Sequence, residues 1–213
     1  MVAPDTFVGY IPPVNDLDSI DYYLFAVDAS ASQNQATHPS PDYQSFVASS
    51  GLYLPYFNDF NVYDSLWTPS TTEPSTNWEW GMPNYGVLTG AHSGMNAWTI
   101  NKDSAYGSDA DVYLTSPFYN FSGANNMVLS FWQNRNTEAT WDGVHLEYTT
   151  DGTNWSYLGS LNDPLGVNWY TDTVYATNGQ PAWEGSSNGW IKSEYNLSLL
   201  NYQPMVQFRF VFN

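Results

Sequence analysis

The sequence has no cysteine and very few basic residues. Its 213 residues include 4 Lys and Arg against 21 Asp and Glu, a formal net charge of −17. Without cysteine, disulfide bonds cannot stabilise the fold. A chain with so few cations is also poorly suited to neutralise phosphates. These absences exclude nucleic acids and anionic membrane surfaces as partners.

Long apolar runs and helical periodicity are missing as well. No run reaches the roughly eighteen apolar residues that a membrane-spanning helix needs. No stretch sustains a spacing of about 3.6 residues, so we expect no helix longer than about two turns. Residues 1–5 lack the basic and apolar regions of a secretory signal peptide. We therefore expect the chain to be a piece of a longer secreted protein.

Aromatic residues are abundant and make up 18% of the chain, including 10 Trp and 17 Tyr. Short apolar segments alternate with turns rich in Gly, Pro, Asn and Asp, about ten to fifteen residues apart, which is typical of an all-β sandwich. The clearest predicted strands are residues 126–132, 144–148 and 205–212. The dipeptide Asp151–Gly152 predicts a hairpin turn, because it accepts a positive φ.

The first 49 residues differ from the rest. Their predicted strands are residues 7–12, 20–27 and 43–47, too few for a separate sandwich. The phrase Asp21–Ser30, followed by His38–Pro39, resembles the late strands of immunoglobulin-like or fibronectin-like domains. The resemblance implies that residues 1–49 are the trailing strands of such a domain.

From residue 50 the chain shows a series of aromatic and turn motifs. They are Trp78–Pro83, Gly94–Trp98, Tyr113–Pro117, Leu129–Trp132, Trp141–Val144, Tyr148–Trp155 and Asn168–Tyr170. Their order resembles the jelly-roll modules related to MAM and cleaved-adhesin domains, found in large secreted surface proteins of Bacteroidetes-type bacteria. The resemblance covers residues 50–213. It implies a jelly-roll β-sandwich from a secreted or cell-surface, multimodular protein.

The same resemblance bears on the end of the chain. Relatives continue beyond the apolar segment Phe208–Phe212 into one more strand that carries acidic residues. It therefore implies that this chain lacks its closing strand, and that an apolar strand edge stays open. Such an edge is a template for pairing with another chain. Residues 1–49 or another copy of the module are candidate donors.

Loop carboxylates suggest a calcium site. Calcium takes six to eight oxygen ligands, often from loop Asp and Asn residues. Candidate ligands lie at Asn58, Asp59, Asp64, Asp103, Asp109, Asp111 and Asp142. We favour Asp59 and Asp142, because the resemblance implies a structural calcium. Solvated turn aspartates explain the same residues equally well, as does a salt-adapted acidic surface.

Loop tryptophans suggest a carbohydrate site. Trp183 and Trp190, with Glu184, Ser186 and Asn188 between them, would provide stacking rings and hydrogen-bonding groups for a sugar. Further tryptophans predicted in or near loops are Trp67, Trp78, Trp80 and Trp169, whereas Trp98, Trp132, Trp141 and Trp155 fit core or strand positions. The alternative for each is packing, because large aromatic side chains dominate sandwich cores.

Catalysis has no sequence support. The three histidines are isolated and His-Glu-x-x-His is absent. Gly185–Gly189 matches the Gly-x-Ser-x-Gly pattern of hydrolases, but no helix signal follows it.

We predict a non-catalytic adhesion or structural module, with assembly into surface fibres as one mode of action. Its partner would be an extracellular glycan, a surface protein or a second copy. The alternative is a carbohydrate-binding module attached to an extracellular hydrolase or peptidase.

Overall fold

A computed structural model describes residues 11, 14, 18–39, 43–48, 50–63, 66–108 and 111–213. Their regular structure is β-strand, apart from a 3-10 turn at Ser198–Leu200. The all-β prediction is therefore confirmed. No helix within these ranges is long and apolar enough to cross a membrane. The jelly-roll order of the strands stays a prediction.

The chain divides into two compact units, Met1–Ser50 and Gly51–Asn213. The strands of the first unit are β1 (Ser19–Tyr22), β2 (Leu24–Val27), β3 (Gln35–His38) and β4 (Gln44–Val47). Antiparallel pairs join β1 to β4 and β2 to β3. The strand predicted at residues 20–27 is thus two strands, interrupted at Tyr23. The strand predicted at residues 7–12 lies, apart from Ile11, outside the described residues.

The second unit contains the remaining strands. They are β5 (Leu52–Tyr53), β6 (Thr68–Thr71), β7 (Trp78–Gly81), β8 (Asn84–Tyr85), β9 (Leu88–Thr89), β10 (Ala97–Ile100), β11 (Val112–Thr115), β12 (Tyr119–Asn120), β13 (Val128–Gln133), β14 (Gly143–Thr149), β15 (Ser156–Tyr157), β16 (Gly166–Val167), β17 (Asp172–Thr173), β18 (Pro181–Glu184), β19 (Ile191–Asn196) and β20 (Gln207–Phe212). The three strands predicted most clearly are present as β13, β14 and β20. The predicted turn joins β14 to β15, and Gly152 has φ +73°.

The largest sheet has seven strands in the order β17-β18-β14-β20-β11-β6, with β15 also paired to β14. The last strand, β20, lies inside this sheet. Phe212 is opposite Val112 on one side and Val144 on the other, and both pairings are antiparallel. The edge expected to stay open beside the last strand is therefore filled on both sides. The physical reason is that β11 and β14 come from earlier parts of the chain and enclose β20.

A smaller sheet, in the order β13-β19-β16, faces the large one. Phe131 of β13 contacts Phe210 of β20 with ring centroids 5.0 Å apart, and contacts Trp183 of β18 at 5.3 Å. The core thus lies between two sheets, as in a β-sandwich. The other pairs of this unit are β7 with β10, β5 with β12 and β8 with β9.

The centre of the core is a cluster of large aromatic residues with satisfied polar groups. Trp169 donates from Nε1 to the Leu158 carbonyl at 3.0 Å, and Trp183 donates to the Asn168 carbonyl at 3.1 Å. The Tyr170 hydroxyl accepts from the Leu146 N–H at 3.1 Å and donates toward the Leu158 carbonyl at 3.0 Å. Burial raises the pKa of this hydroxyl, so it remains a donor. The cluster therefore buries its rings without leaving these polar heads unpaired.

Gly159 tests how tightly this cluster is packed. An added Cβ would lie 2.5 Å from Trp169 Nε1 and 2.7 Å from a Tyr195 ring carbon, at φ +83°. Gly179 has a similar φ of +76° but open space around it. We expect Gly179→Ala to cost about 1–2 kcal/mol for its backbone alone, and Gly159→Ala about 1–3 kcal/mol more. Urea unfolding measures both variants, and equal costs would show that the cluster tolerates a methyl group there.

Candidate functional site

An open groove of about 1160 Å³ lies along the inner side of the large sheet. Its floor is apolar and consists of Leu146, Trp183, Phe208, Phe210 and Phe212. The strands β10 and β13 contribute two of its walls and do not pair with each other. Phe210 is partly buried and the other four are at most 4% exposed, so the groove leaves little of this floor accessible.

One wall, β13, has a backbone edge without a partner. The Leu197 N–H donates to the Met127 carbonyl at 2.9 Å, which fixes the hydrogen-bonding phase of the β13–β19 pair. In an antiparallel pair only alternate residues exchange hydrogen bonds with the partner strand. The N–H and C=O groups of Val128, Ser130 and Trp132 therefore point away from β19. Within the part of the chain that the structure describes, they have no hydrogen-bond partner.

The opposite wall, β10, has a similar edge. The Asn101 N–H donates to the Asn77 carbonyl at 3.0 Å, in register with the β7–β10 pair. By the same alternation, the backbone groups of Trp98 and Ile100 point away from β7. Among the described strands, β10 pairs with β7 alone. The groove is thus bordered by two strand edges with unused backbone donors and acceptors.

The groove also has an unusual charge. Three of the 4 basic residues of the chain line it, namely Lys102, Arg135 and Lys192, against the two carboxylates of Asp59 and Glu138. The lining residues alone sum to +1, and the sum becomes −1 when Asp103 and Glu194, which pair with two of these cations, are included. Lys102 and Lys192 each pair with a neighbouring carboxylate, of Asp103 and Glu194.

Arg135 differs from the two lysines. Its Nε donates to the Glu184 carbonyl oxygen at 2.9 Å, and its Nη1 donates to Gln133 Oε1 at 3.1 Å. It forms no ion pair with any described carboxylate. Burial lowers the pKa of the guanidinium, but an arginine still carries its charge at neutral pH. The Glu184 carboxylate lies near enough to act on the guanidinium charge and partly offsets the effect of burial on its pKa.

An aromatic platform lies at the rim of the groove. His92 stacks on Trp132, with ring centroids 3.8 Å apart and planes at 14°, and Trp190 meets His92 edge-on at 5.8 Å. Trp132 is 46% exposed. Lys192 is opposite Trp132 in the β13–β19 register, and its Nζ lies 2.6 Å from Glu194. Rings and charged groups thus share one accessible surface.

The structure divides the predicted carbohydrate pair. Trp190 lies in this platform, whereas Trp183 is 1% exposed, lies in β18 and packs against Phe131 and Trp169. A ring buried on both faces cannot stack on a sugar, so Trp183 does not join Trp190 in one patch. The reason is that β18 is a strand inside the large sheet, where a loop was expected.

Four other tryptophans show the same reversal. Trp67 and Trp169, predicted in or near loops, are 8% and 6% exposed. Trp132 and Trp141, predicted for core or strand positions, are 46% and 51% exposed. Trp132 does lie in a strand, but on its outer face. Residue type therefore did not reveal which side of a strand each ring occupies.

The candidate calcium ligands are engaged in local contacts. Asp59 accepts a hydrogen bond from the Asn61 N–H at 3.0 Å, and Asp142 accepts from the Tyr106 hydroxyl at 3.0 Å. Asp64 and Asp109 lie outside the described residues. In the described ranges, no group of three or more His, Cys, Asp or Glu side chains could hold a metal. Calcium stays a prediction.

The Gly185–Gly189 loop joins β18 to β19, two strands, and not a strand to a helix. Its central residue, Ser187, donates from its hydroxyl to the Gly189 carbonyl at 2.7 Å and accepts from the Arg135 N–H at 2.9 Å. Such a loop lacks the strained strand-to-helix turn that exposes a hydrolase nucleophile. The hydroxyl here holds the end of β13 against the loop.

A second cluster of charged and aromatic groups lies on the outer side of the large sheet. The Arg209 guanidinium lies 4.2 Å from the Trp155 ring centroid and 4.8 Å from that of Tyr113. Its Nε donates to Glu147 at 2.5 Å, and His145 Nε2 lies 3.4 Å from the same carboxylate. Because these groups join β11, β14 and β20, the cluster stabilises the sheet.

Comparisons with known proteins return one similarity at the level of sequence. The chain is 28% identical over 131 residues to Bacillopeptidase F of Bacillus subtilis (strain 168). The match covers 57% of this chain and 9% of that protein. No protein-family model matches the chain. No solved structure matches it either. The chain therefore resembles a small segment of a much longer protein.

The Glu147–Arg209 contact predicts a pH-dependent stability. Burial alone would raise the pKa of the Glu147 carboxyl, but hydrogen bonds from His145 and Arg209 outweigh it and lower the pKa below 4.5. The ionised group thus stabilises the fold above pH 4.5, and this contribution is lost as the pH falls through the lowered pKa. We expect Glu147→Gln to cost about 1–3 kcal/mol at neutral pH, and less as the pH falls below that value.

Chemical denaturation of both proteins across the acid range measures this difference. Glu194→Gln is the matched control, because the Lys192–Glu194 pair is more exposed and contributes at most about 1 kcal/mol. A cost of Glu147→Gln that did not change with pH would contradict the proposed role of its charge.

Proposed function

We propose that the chain is a non-catalytic adhesion or structural module of a larger secreted, multidomain protein at the cell surface. The observation that carries the proposal is the open edge of β13 above an apolar groove. Unpaired strand edges are avoided or protected in proteins, because they pair with other chains. Where an edge borders an apolar surface, strand addition is a common mode of recognition. The module would hold a partner there or link into surface fibres.

Independent features support the proposal that the chain belongs to a larger secreted protein. The likeness to 9% of a long peptidase favours a module within a multidomain protein. The net charge of −17 suits solubility outside the cell. A structural calcium at Asp59 or Asp142 belongs to the same proposal, and it is tested by chelation in the binding experiments below.

The platform of His92, Trp132 and Trp190 favours a second candidate function. Exposed rings stack on sugar faces, and the nearby Lys192 and Glu194 are able to bond hydroxyl groups. A carbohydrate-binding module attached to an extracellular hydrolase or peptidase would use such a surface. The alternative is that His92 and Trp132 simply pack the loop before β10 against β13.

An attachment assay tests the adhesive function. Beads coated with the full chain are offered to cells of the organism that produces it, and bound beads are counted. The N–H of Ser130 points away from β19, so Ser130→Pro blocks the edge without removing a bond to β19. We expect Ser130→Pro to reduce attachment about tenfold and Ser130→Ala, which keeps the N–H, to leave it unchanged. Equal attachment by all three proteins would exclude the β13 edge.

A glycan and polysaccharide panel tests the second candidate, with calcium and again with chelator. Stacking predicts that Trp132→Ala or Trp190→Ala weakens any saturable binding by about tenfold or more. Trp141→Ala is the control, because Trp141 is 51% exposed but packs with Tyr175 away from the platform. Loss of binding with chelator alone would assign a role to calcium. A blank panel under both conditions would remove the carbohydrate function.

A further inference from the structure

We propose that Asn188 is a site of spontaneous deamidation, and that its conversion to isoaspartate loosens the end of β13. The reaction needs water and no other reagent. It is independent of the proposed function and takes place in the loop between β18 and β19. The proposal is carried by the hydrogen bonding of the glycine that follows Asn188, and by the contacts of the adjacent Ser187.

The chemistry is a cyclisation of the Asn–Gly dipeptide. The main-chain nitrogen of Gly189 loses its proton to hydroxide or water and attacks Cγ of Asn188. A bond forms between this nitrogen and Cγ, the Cγ–Nδ2 bond breaks, and ammonia leaves with a proton from the solvent. Water then opens the cyclic imide at either of its carbonyl carbons, which gives aspartate or isoaspartate. Glycine favours the first step because it has no Cβ to hinder the close approach.

Asn or Asp precedes glycine at four places in the chain, and the hydrogen bonding of these glycines differs. Three of them donate their N–H to a protein oxygen at 3.0–3.1 Å, namely Gly143 to Asn213, Gly152 to Thr149 and Gly179 to Val174. The N–H of Gly189 has no such acceptor within the described residues. A bonded nitrogen must first break its hydrogen bond before it can attack, whereas that of Gly189 is available at once.

Asn178 matches Asn188 in most respects other than this bond. Both asparagines are exposed and left-handed, with φ +56° and +54°. Both following glycines have a positive φ, and a Cβ added to either would meet no atom within 4 Å. Water and hydroxide therefore reach both sites, and the bond from Gly179 to the Val174 carbonyl is the main difference between them.

The side chain of Asn188 is only weakly held. Its Oδ1 lies 3.4 Å from the Ser186 hydroxyl, which exceeds the range of about 2.5–3.0 Å for a hydrogen bond between two oxygens. Rotation of the side chain toward the Gly189 nitrogen therefore breaks one long contact. Both reacting groups, the nitrogen and Cγ, are thus free to approach each other.

Ser187 links the modified loop to β13. Its hydroxyl donates to the Gly189 carbonyl at 2.7 Å and accepts from the Arg135 N–H at 2.9 Å. In isoaspartate the main chain runs through the former side chain, so one carbon atom is added between Ser187 and Gly189. This longer connection displaces the Gly189 carbonyl from the hydroxyl that also holds Arg135. The end of β13 therefore loses part of its anchorage to the loop.

Ageing of the full chain in buffer tests the reaction. Samples kept at neutral and mildly alkaline pH are digested, and the Asn, Asp and isoaspartate forms of each peptide are quantified by chromatography and mass spectrometry. We expect Asn188 to convert about fivefold to tenfold faster than Asn178, because a hydrogen bond must break at the second site. The rate at Asn188 should rise with pH, since hydroxide removes the proton from the attacking nitrogen. Equal rates, or faster conversion of Asn178, would overturn the proposal.

Unfolded protein provides the matched control. In concentrated urea the bond between Gly179 and Val174 is lost, so Asn178 and Asn188 should convert at similar rates. A difference of the same size in urea would assign it to neighbouring residues and overturn the structural explanation. Asn188→Gln forms the corresponding larger ring far more slowly, so it should remove the fast phase of ammonia release from the folded chain. Persistence of that phase would place the reaction elsewhere.

Amide hydrogen exchange of the aged protein tests the effect on β13. The Arg135 amide should exchange several-fold faster in the isoaspartate form, whereas that of Phe131, which bonds to β19, is the internal control and should change little. Asn188→Asp carries the charge of the product without the added main-chain atom, so it should leave the Arg135 amide unchanged. Unchanged exchange at Arg135 in the isoaspartate form, or equally fast exchange in Asn188→Asp, would overturn the proposed loosening.

Discussion

The fold of the second unit depends on burying very large aromatic rings while satisfying their polar heads. Trp169, Tyr170 and Trp183 occupy the centre of the core and bond to main-chain groups of the loop and strands around them. An unbonded hydroxyl or indole N–H at that depth would cost about 1–3 kcal/mol. The rings therefore fix the position of the Leu158–Asn168 loop, and through it the faces of β14 and β18 that look inward.

The two sheets around this core differ in how their strands are paired. The large sheet encloses β20 on both sides, whereas the smaller sheet ends at β13, whose other side pairs with no strand in the described part of the chain. Phe210 of β20 contacts Phe131 of β13 and is only partly buried. Desolvated backbone groups require partners, so an open edge beside apolar surface is a place where one more strand is favourable. The open edge of β13 is the feature on which the proposed binding surface rests.

The sequence predicts the positions of the strands in this unit better than their pairing or the burial of their side chains. Alternation identified β20, and β13 and β14 were also predicted as strands, because the pattern of side chains along one strand is a local property. Pairing is not local, so the central position of β20 and the open edge of β13 could not be predicted. The exposed ring of Trp132 did leave a signal: Phe131 and Trp132 are adjacent, and adjacent residues of a strand face opposite sides. Trp183 left none, because its burial depends on strands far away in sequence.

The distance over which charges act decides how the net charge of the chain affects a ligand in the groove. At physiological ionic strength, charges more than about 8 Å apart are largely screened. The net charge of −17 is spread over the whole surface, so a ligand inside the groove responds mainly to the groups beside it. Those groups include Arg135, which bonds to the Glu184 carbonyl and to Gln133 and whose charge interacts with the Glu184 carboxylate. The net charge of the chain therefore does not by itself determine which charge a ligand in the groove can carry.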